Sequence, residues 1–275
     1  MKLGFIGMGN MATAIARGIL SKGIVSADEV YGSSTSEEHA RAKRAELGIN
    51  MTTDNLEVVR NVDILFLSVK PQHYEGVIAE IRDTLKPYQV VVTIAPGKTI
   101  SWLEAKFQNR EEGDESVQAR PVKIVRCMPN TPALVGEGFT SYCPNAKVTD
   151  GELEIVESML DCFGKRMRLS EGLIDAASAV GGSAPAFAYA FIEALADGGV
   201  AEGLPRAAAY EVAAQTVLGS AKMVLETGQH PGALKDAVCS PAGSTIKGME
   251  VLEKAAFRGS VIDAVRTTAA AARGL

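Results

Sequence analysis

Through residues 1–165 the chain alternates short apolar runs with longer stretches of helical periodicity. The runs fall at Leu3 to Ile6, Glu29 to Tyr31, Asp63 to Val69, Gln89 to Ile94 and Val122 to Cys127, and are rich in the aliphatic residues that strands favour. Strands separated by helices predict an open, mostly parallel α/β sheet, because parallel neighbours need a crossover. After Asp150 the pattern changes. Phe187, Phe191 and Leu195, and then Val212, Val217, Ala221 and Val224, recur at helical spacing. Gly198-Gly199, Gly203-Leu204-Pro205 and the stretch 228–231 punctuate them. The expected organisation is an α/β domain over 1–165 and an all-helical domain over 166–275. Gln108 to Lys123 is polar and charged, and reads as an exposed loop.

The last 100 residues hold 26 alanines. Helices of small residues pack closely but give a domain of this size a thin core. The helical half is therefore expected to bury a face against another copy, as a homodimer or higher homo-oligomer. The alternative is a monomer whose helices pack only on the first domain.

Charge narrows the partners. A net charge of −5 and an isoelectric point near 5.4 repel polyanions, so no nucleic acid is expected and an anionic ligand must be held by local donors. Cys127, Cys143, Cys162 and Cys239 form no CxxC pair, and His39, His73 and His230 stand far apart, which leaves no metal-type spacing. The cysteines read as reduced thiols of a cytoplasmic protein. The opening apolar run is too short for a signal peptide, and no run approaches the ~18 apolar residues of a membrane span, so no membrane is expected.

The stretch LGFIGMGNMATAIARGIL places Gly7, Gly9 and Ala12 in a GxGxxA pattern between a strand and a helix. The first glycine permits the tight turn, the second lets a pyrophosphate approach the backbone, and Ala12 lets helix and strand pack. With Asn10 and Met11, these residues predict a dinucleotide site in a Rossmann-type domain. An acidic residue at the end of the second strand would grip the ribose 2′-hydroxyl of NAD. Here Val30-Tyr31 runs into Gly32, Ser33, Ser34 and Thr35, while Asp28 and Glu29 precede the strand's end. Three hydroxyls and no carboxylate favour NADP(H), with NAD(H) left open. Arg41 and Lys43 read as solvated surface unless the next helix turns them inward.

A second candidate lies in PGALKDAVCSPAGSTIKGME, Pro231 to Glu250. Ser240, Gly243, Ser244 and Thr245 cluster at a helix entrance, where hydroxyls and free amides can converge on a carboxylate. A plain helix cap is the simpler reading of the loop taken alone.

Five segments together resemble the pyrroline-5-carboxylate reductase family: GFIGMGNMA, LSVKPQ at Leu67 to Gln72, RCMPNTPA at Arg126 to Ala133, ADGGVAEGLPR at Ala196 to Arg206, and HPGALKDAVCSPAGSTI at His230 to Ile246. The resemblance covers essentially the whole chain. It implies a Rossmann domain followed by a helical dimerisation domain, with sites formed around the dimer interface. It also implies reduction of a cyclic imino acid, 1-pyrroline-5-carboxylate, to L-proline by NAD(P)H, the last step of proline biosynthesis. By position, Ser34 would meet the ribose phosphate, Asn55, Val69, Lys70 and Pro71 would line the cofactor cleft, and Asn130 would flank the nicotinamide. Ser240, Gly243, Ser244 and Thr245 would hold the substrate carboxylate, with Thr245 nearest the imine nitrogen. The chain departs from the family pattern at Gly181, Ala184 and Phe187, at Ala242 and Ser244, and at Pro96.

Imine reduction needs a hydride beside the carbon and a proton on an already basic nitrogen, so no strong acid is required. This suits a chain with no histidine or carboxylate dyad in its motifs. Thr245 is the candidate catalytic residue, through a hydrogen bond to the nitrogen; Lys70 is the alternative acid. Two other functions fit the same plan: a hydroxyacid or ketopantoate reductase, which would need a catalytic lysine in the helical half, and a non-enzymatic dinucleotide-binding protein.

Overall fold

The computed structural model describes residues 1–109 and 122–273, so most of the predicted loop at 108–123 lies outside the described residues. The strands are β1 (Leu3–Ile6), β2 (Val30–Ser33), β3 (Asn50–Thr52), β4 (Ile64–Leu67), β5 (Val90–Thr93), β6 (Lys123–Met128), β7 (Gly138–Pro144) and β8 (Gly164–Arg168). Among the described residues they form one sheet in the order β3-β2-β1-β4-β5-β6-β7-β8, parallel throughout except between β6 and β7. The first six follow the Rossmann order, whose ligand crevice opens beyond the carboxyl ends of the strands where the order reverses beside β1. All five apolar runs became strands. The three strands not predicted lack such a run: β3 is three residues long, β7 mixes small and hydroxyl residues, and β8 is an edge strand carrying Lys165, Arg166 and Arg168.

Crossover helices α1 (Asn10–Ser21), α2 (Glu37–Leu47), α3 (Asn55–Asn61), α4 (Tyr74–Ile81) and α5 (Ile100–Phe107) are followed by α6 (Asp150–Leu160) and α7 (Glu171–Ser178). Strand alternation feeds two cores. Leu3, Phe5, Phe66, Val92 and Val125 pack with Ile15 and Ile19 of α1 and Met159 of α6. Ile6, Leu65, Leu67, Val91 and Ile124 pack with Val58 of α3, Ile78 of α4 and Leu103 of α5.

By contacts the chain divides into one unit of Met1–Gly182 with the residues from Ala269 onward, and a second of Ser183–Thr268. This boundary falls later than the expected division at 165/166. The reason is chemical: Arg126 on β6, with its side chain 2% exposed, pairs with Glu171 (3.1 Å) and Asp175 (2.9 Å) and so ties α7 to the sheet.

A π-helical turn, Ala179–Ser183, follows α7. The helices after it are α8 (Ala184–Ala201), α9 (Arg206–Thr227), α10 (Pro231–Ala237), α11 (Ser244–Lys254) and α12 (Phe257–Ala272). Within the second unit the buried cluster consists of Ala196, Ala209 and Ala213, where α8 meets α9. Glu171–Ala201 forms a 31-residue helical stretch containing an 18-residue window of mean hydropathy 1.3, long and apolar enough by length and composition to cross a membrane. Glu171, Asp175, Glu193 and Asp197 interrupt it, so it contains no unbroken apolar run of membrane-spanning length.

Candidate active site

The turn after β1 depends on glycine. Gly7 takes φ +92°, and a Cβ there would stand 2.8 Å from Val69 Cγ1. Gly9 begins α1 in an extended conformation, and no side chain caps the amides of the first turn. A Cβ built on Gly9 meets nothing within 4 Å, so open space lies where a pyrophosphate would approach those amides.

The end of β2 is knitted to this turn. The amides of Gly7 and Met8 donate to the Ser33 carbonyl at 3.3 and 3.1 Å. Ser33 Oγ donates to Asn55 Oδ1 (2.6 Å), and Asn55 Nδ2 donates to Glu80 Oε2 (2.8 Å). A cavity of about 430 Å³ opens here, with Gly7, Ser33, Ser34, Asn55 and Val69 of the predicted residues in its wall. Thr35, His73 and Glu80 also line it. Glu29 is occupied elsewhere, by the N-terminal ammonium at 3.2 Å. Lys43 pairs with Glu46, and Arg41 is exposed. A larger cavity, about 650 Å³, lies between α1, the turn at 133–137 and the segment 161–165, and its wall carries none of the predicted residues.

Other expected cofactor residues are placed differently. Asn10 is exposed, Met11 packs against the core and Ala12 is buried beneath the helix start. Lys70 is exposed, and Pro71 opens a short 3-10 turn, Pro71–His73. None of these five lines the 430 Å³ cavity. Asn130 is buried, its Nδ2 donating to the Gly181 carbonyl and its Oδ1 accepting from the Phe139 amide, both at 2.8 Å. Its side chain therefore braces backbone groups that would otherwise be unpaired. A Cβ at Gly181 would stand 3.2 Å from the Phe139 ring, so the departure from the family pattern at 181 accompanies a close ring contact.

Two braces carried no local signal. Tyr74 donates its hydroxyl to the Leu67 carbonyl and accepts from the Ile94 amide at 3.3 Å, joining the ends of β4 and β5; burial pushes its phenol far above the usual range. Arg126, open in the sequence to a structural or a solvent-facing role, takes the structural one. Burial also raises the thiols of Cys127, Cys143 and Cys162, which keeps them protonated and inert, while Cys239 is only half-buried.

In the second unit Gly243 precedes α11 in an extended conformation, with no side-chain cap. The Gly243 amide turns back to the Ser240 carbonyl at 3.0 Å, and a Cβ on Gly243 would stand 3.3 Å from Ser240 Oγ. Ser240, Ser244 and Thr245 are exposed. Ala242 holds φ +59°, a left-handed conformation that glycine adopts without strain.

Comparison with known proteins covers the whole chain. The family described as "Pyrroline-5-carboxylate reductase dimerisation" matches residues 171–275, and "NADP oxidoreductase coenzyme F420-dependent" matches 2–97. The chain is 45% identical to pyrroline-5-carboxylate reductase of Escherichia coli over 264 residues, covering 96% of this chain and 94% of that protein. It is 41% identical to human pyrroline-5-carboxylate reductase 2 over 278 residues, covering 100% and 84%. Among solved structures, the Plasmodium falciparum pyrroline carboxylate reductase with NADP bound superposes with a TM-score of 0.86 at 33% identity, over 100% of this chain and 97% of that one. The enzyme from Coxiella burnetii gives 0.88 at 31%, over 99% and 97%.

Proposed function

Because the chain belongs to the pyrroline-5-carboxylate reductase family and catalyses its reaction, the reduction of 1-pyrroline-5-carboxylate to proline, we propose how its residues divide the work. Residues 1–165 serve the cofactor and 166–275 serve dimerisation and substrate. The first part is an NADP-binding domain, and we assign it NADP(H) in preference to NAD(H). The cradle fits: Gly9 leaves the first-turn amides of α1 open, and Ser33, Ser34 and Thr35 end β2 without a carboxylate. When bound, the cofactor supplies the hydride.

The chain's own task is to hold the imino acid. Ser240, Gly243, Ser244 and Thr245 take the carboxylate at the uncapped start of α11, where first-turn amides lack intrahelical partners. That opening, with three hydroxyls around it, is the observation that carries the substrate assignment. Thr245 donates to the imine nitrogen side of the ring and relays a proton from water. No metal is needed for this chemistry. Lys70, exposed at the start of a short turn, keeps the part of alternative acid.

The dimerisation region makes the protein a homo-oligomer, and we assign a homodimer formed through the helical unit. Its exposed apolar side chains and the 171–201 stretch fit a subunit interface rather than a bilayer. We assign the cytoplasm from the acidic charge and the four free cysteines.

One assay tests the reading: NADPH oxidation with pyrroline-5-carboxylate, with 2-keto acids, and with neither. Thr245→Val keeps the shape and removes the hydroxyl, so kcat should fall roughly 10- to 100-fold with cofactor affinity intact. Parental kinetics in that variant would move the role to Lys70.

A further inference from the structure

We propose that His39 sets the preference for the 2′-phosphorylated cofactor by controlling which way the Ser34 hydroxyl donates, an inference that rests on the cofactor cleft assigned above. Ser34 directly follows β2, where a Rossmann domain reads the ribose 2′ position, and it lines the 430 Å³ cavity. Its Oγ lies 2.8 Å from Nδ1 of His39, in the first turn of α2. Both groups are pinned through their backbones: the Ser34 amide donates to the Thr52 carbonyl at 3.1 Å, and the His39 amide to Ser36 Oγ at 3.3 Å.

A hydroxyl has one proton to give. With Nδ1 bare, Ser34 donates that proton to the imidazole and turns only lone pairs toward a phosphate. With Nδ1 protonated, the imidazole donates to Ser34 Oγ, and the serine proton is free for a phosphate oxygen. A dianionic 2′-phosphate therefore selects the second arrangement, with an imidazole N–H at Nδ1 behind the serine. A ribose hydroxyl both donates and accepts, so it suits either.

The charges around this pair are accounted for. Glu46 on α2 feels the imidazole, and it is held by Lys43 of α2 and by Arg17 of α1. Glu37 accepts from Thr53 Oγ1 at 3.2 Å, and Glu38 is exposed beside it. Neither of the last two is a partner of Nδ1, which faces Ser34.

The test is calorimetric binding of 2′,5′-ADP and of 5′-ADP to the full-length protein and to its His39 variants near neutral pH. His39→Phe should bind 2′,5′-ADP roughly tenfold more weakly with 5′-ADP unchanged, and His39→Asn, which keeps a donor toward Ser34, should recover most of that loss. Equal 2′,5′-ADP affinities in parent and variants would overturn the role of His39 alone. A parent that binds 2′,5′-ADP no better than 5′-ADP would remove the cofactor assignment as well.

Discussion

The two units bury very different things. The sheet unit encloses Leu3, Phe5, Phe66 and Leu67 at 0% exposure, whereas the buried cluster of the helical unit is three alanines. Meanwhile Leu218 and Leu225 of α9 stand 56% and 80% exposed. At about 25 cal/mol per Å² of apolar surface removed from water, three alanines contribute little against the chain entropy of five helices. The first unit buries a core of its own; the second matches a dimerisation family, and on the proposal above its exposed apolar surface is what another copy covers. The same contrast separates the proposed tasks, since the cofactor turn is hydrogen-bonded to the end of β2 while Ser240, Ser244 and Thr245 are exposed.

The largest expected effect breaks the second half of that comparison. Leu218 and Leu225 lie seven residues apart on one face of α9, so the double variant Leu218→Glu/Leu225→Glu puts two charges on the proposed interface. Light scattering should show loss of the folded oligomer, with activity down more than about a hundredfold; an active oligomer of parental mass would place the interface on another face. Phe66→Ala attacks the first half. It should cost about 3–5 kcal/mol in denaturant unfolding and leave subunit association unaltered, because the cavity it opens is internal to the sheet.

Arg126→Met probes the clamp on α7. Its partners Glu171 and Asp175 keep 34% and 27% exposure, so their carboxylates can rehydrate and the loss should be about 1–3 kcal/mol. Hydrogen exchange should quicken over 171–182 and stay parental in β1 and β4. The smallest effect is at Ala242, whose φ of +59° favours glycine. Ala242→Gly should stabilise by at most about 1 kcal/mol in thermal unfolding, and a destabilised variant would show that the alanine methyl is buried in the assembly.

What was legible in the sequence was local. Five apolar runs became five strands because each carries its own pattern, and Gly7 announced the turn because its φ of +92° and the nearby Val69 demand glycine. Ser33, Ser34, Asn55 and Val69 do meet around one cavity. What escaped depends on partners distant in sequence. Tyr74, Arg126 and the amide of Asn130 each satisfy groups on other elements, and His39 meets Ser34 only once α2 has turned. The edge strand β8 was hidden by its own charge, and nothing local reveals the buried arginine beneath α7. The two rival functions gave way to similarity along the full length of known reductases.

Sedimentation of the unaltered protein across a dilution series, with activity measured on the same samples, tests the contrast between the units most directly. The account predicts that folded, active material sediments as a dimer or larger at every concentration, and that activity and helical signal are lost together when it dissociates. A stable, fully active monomer would contradict it, because the apolar helices would then be covered within a single chain.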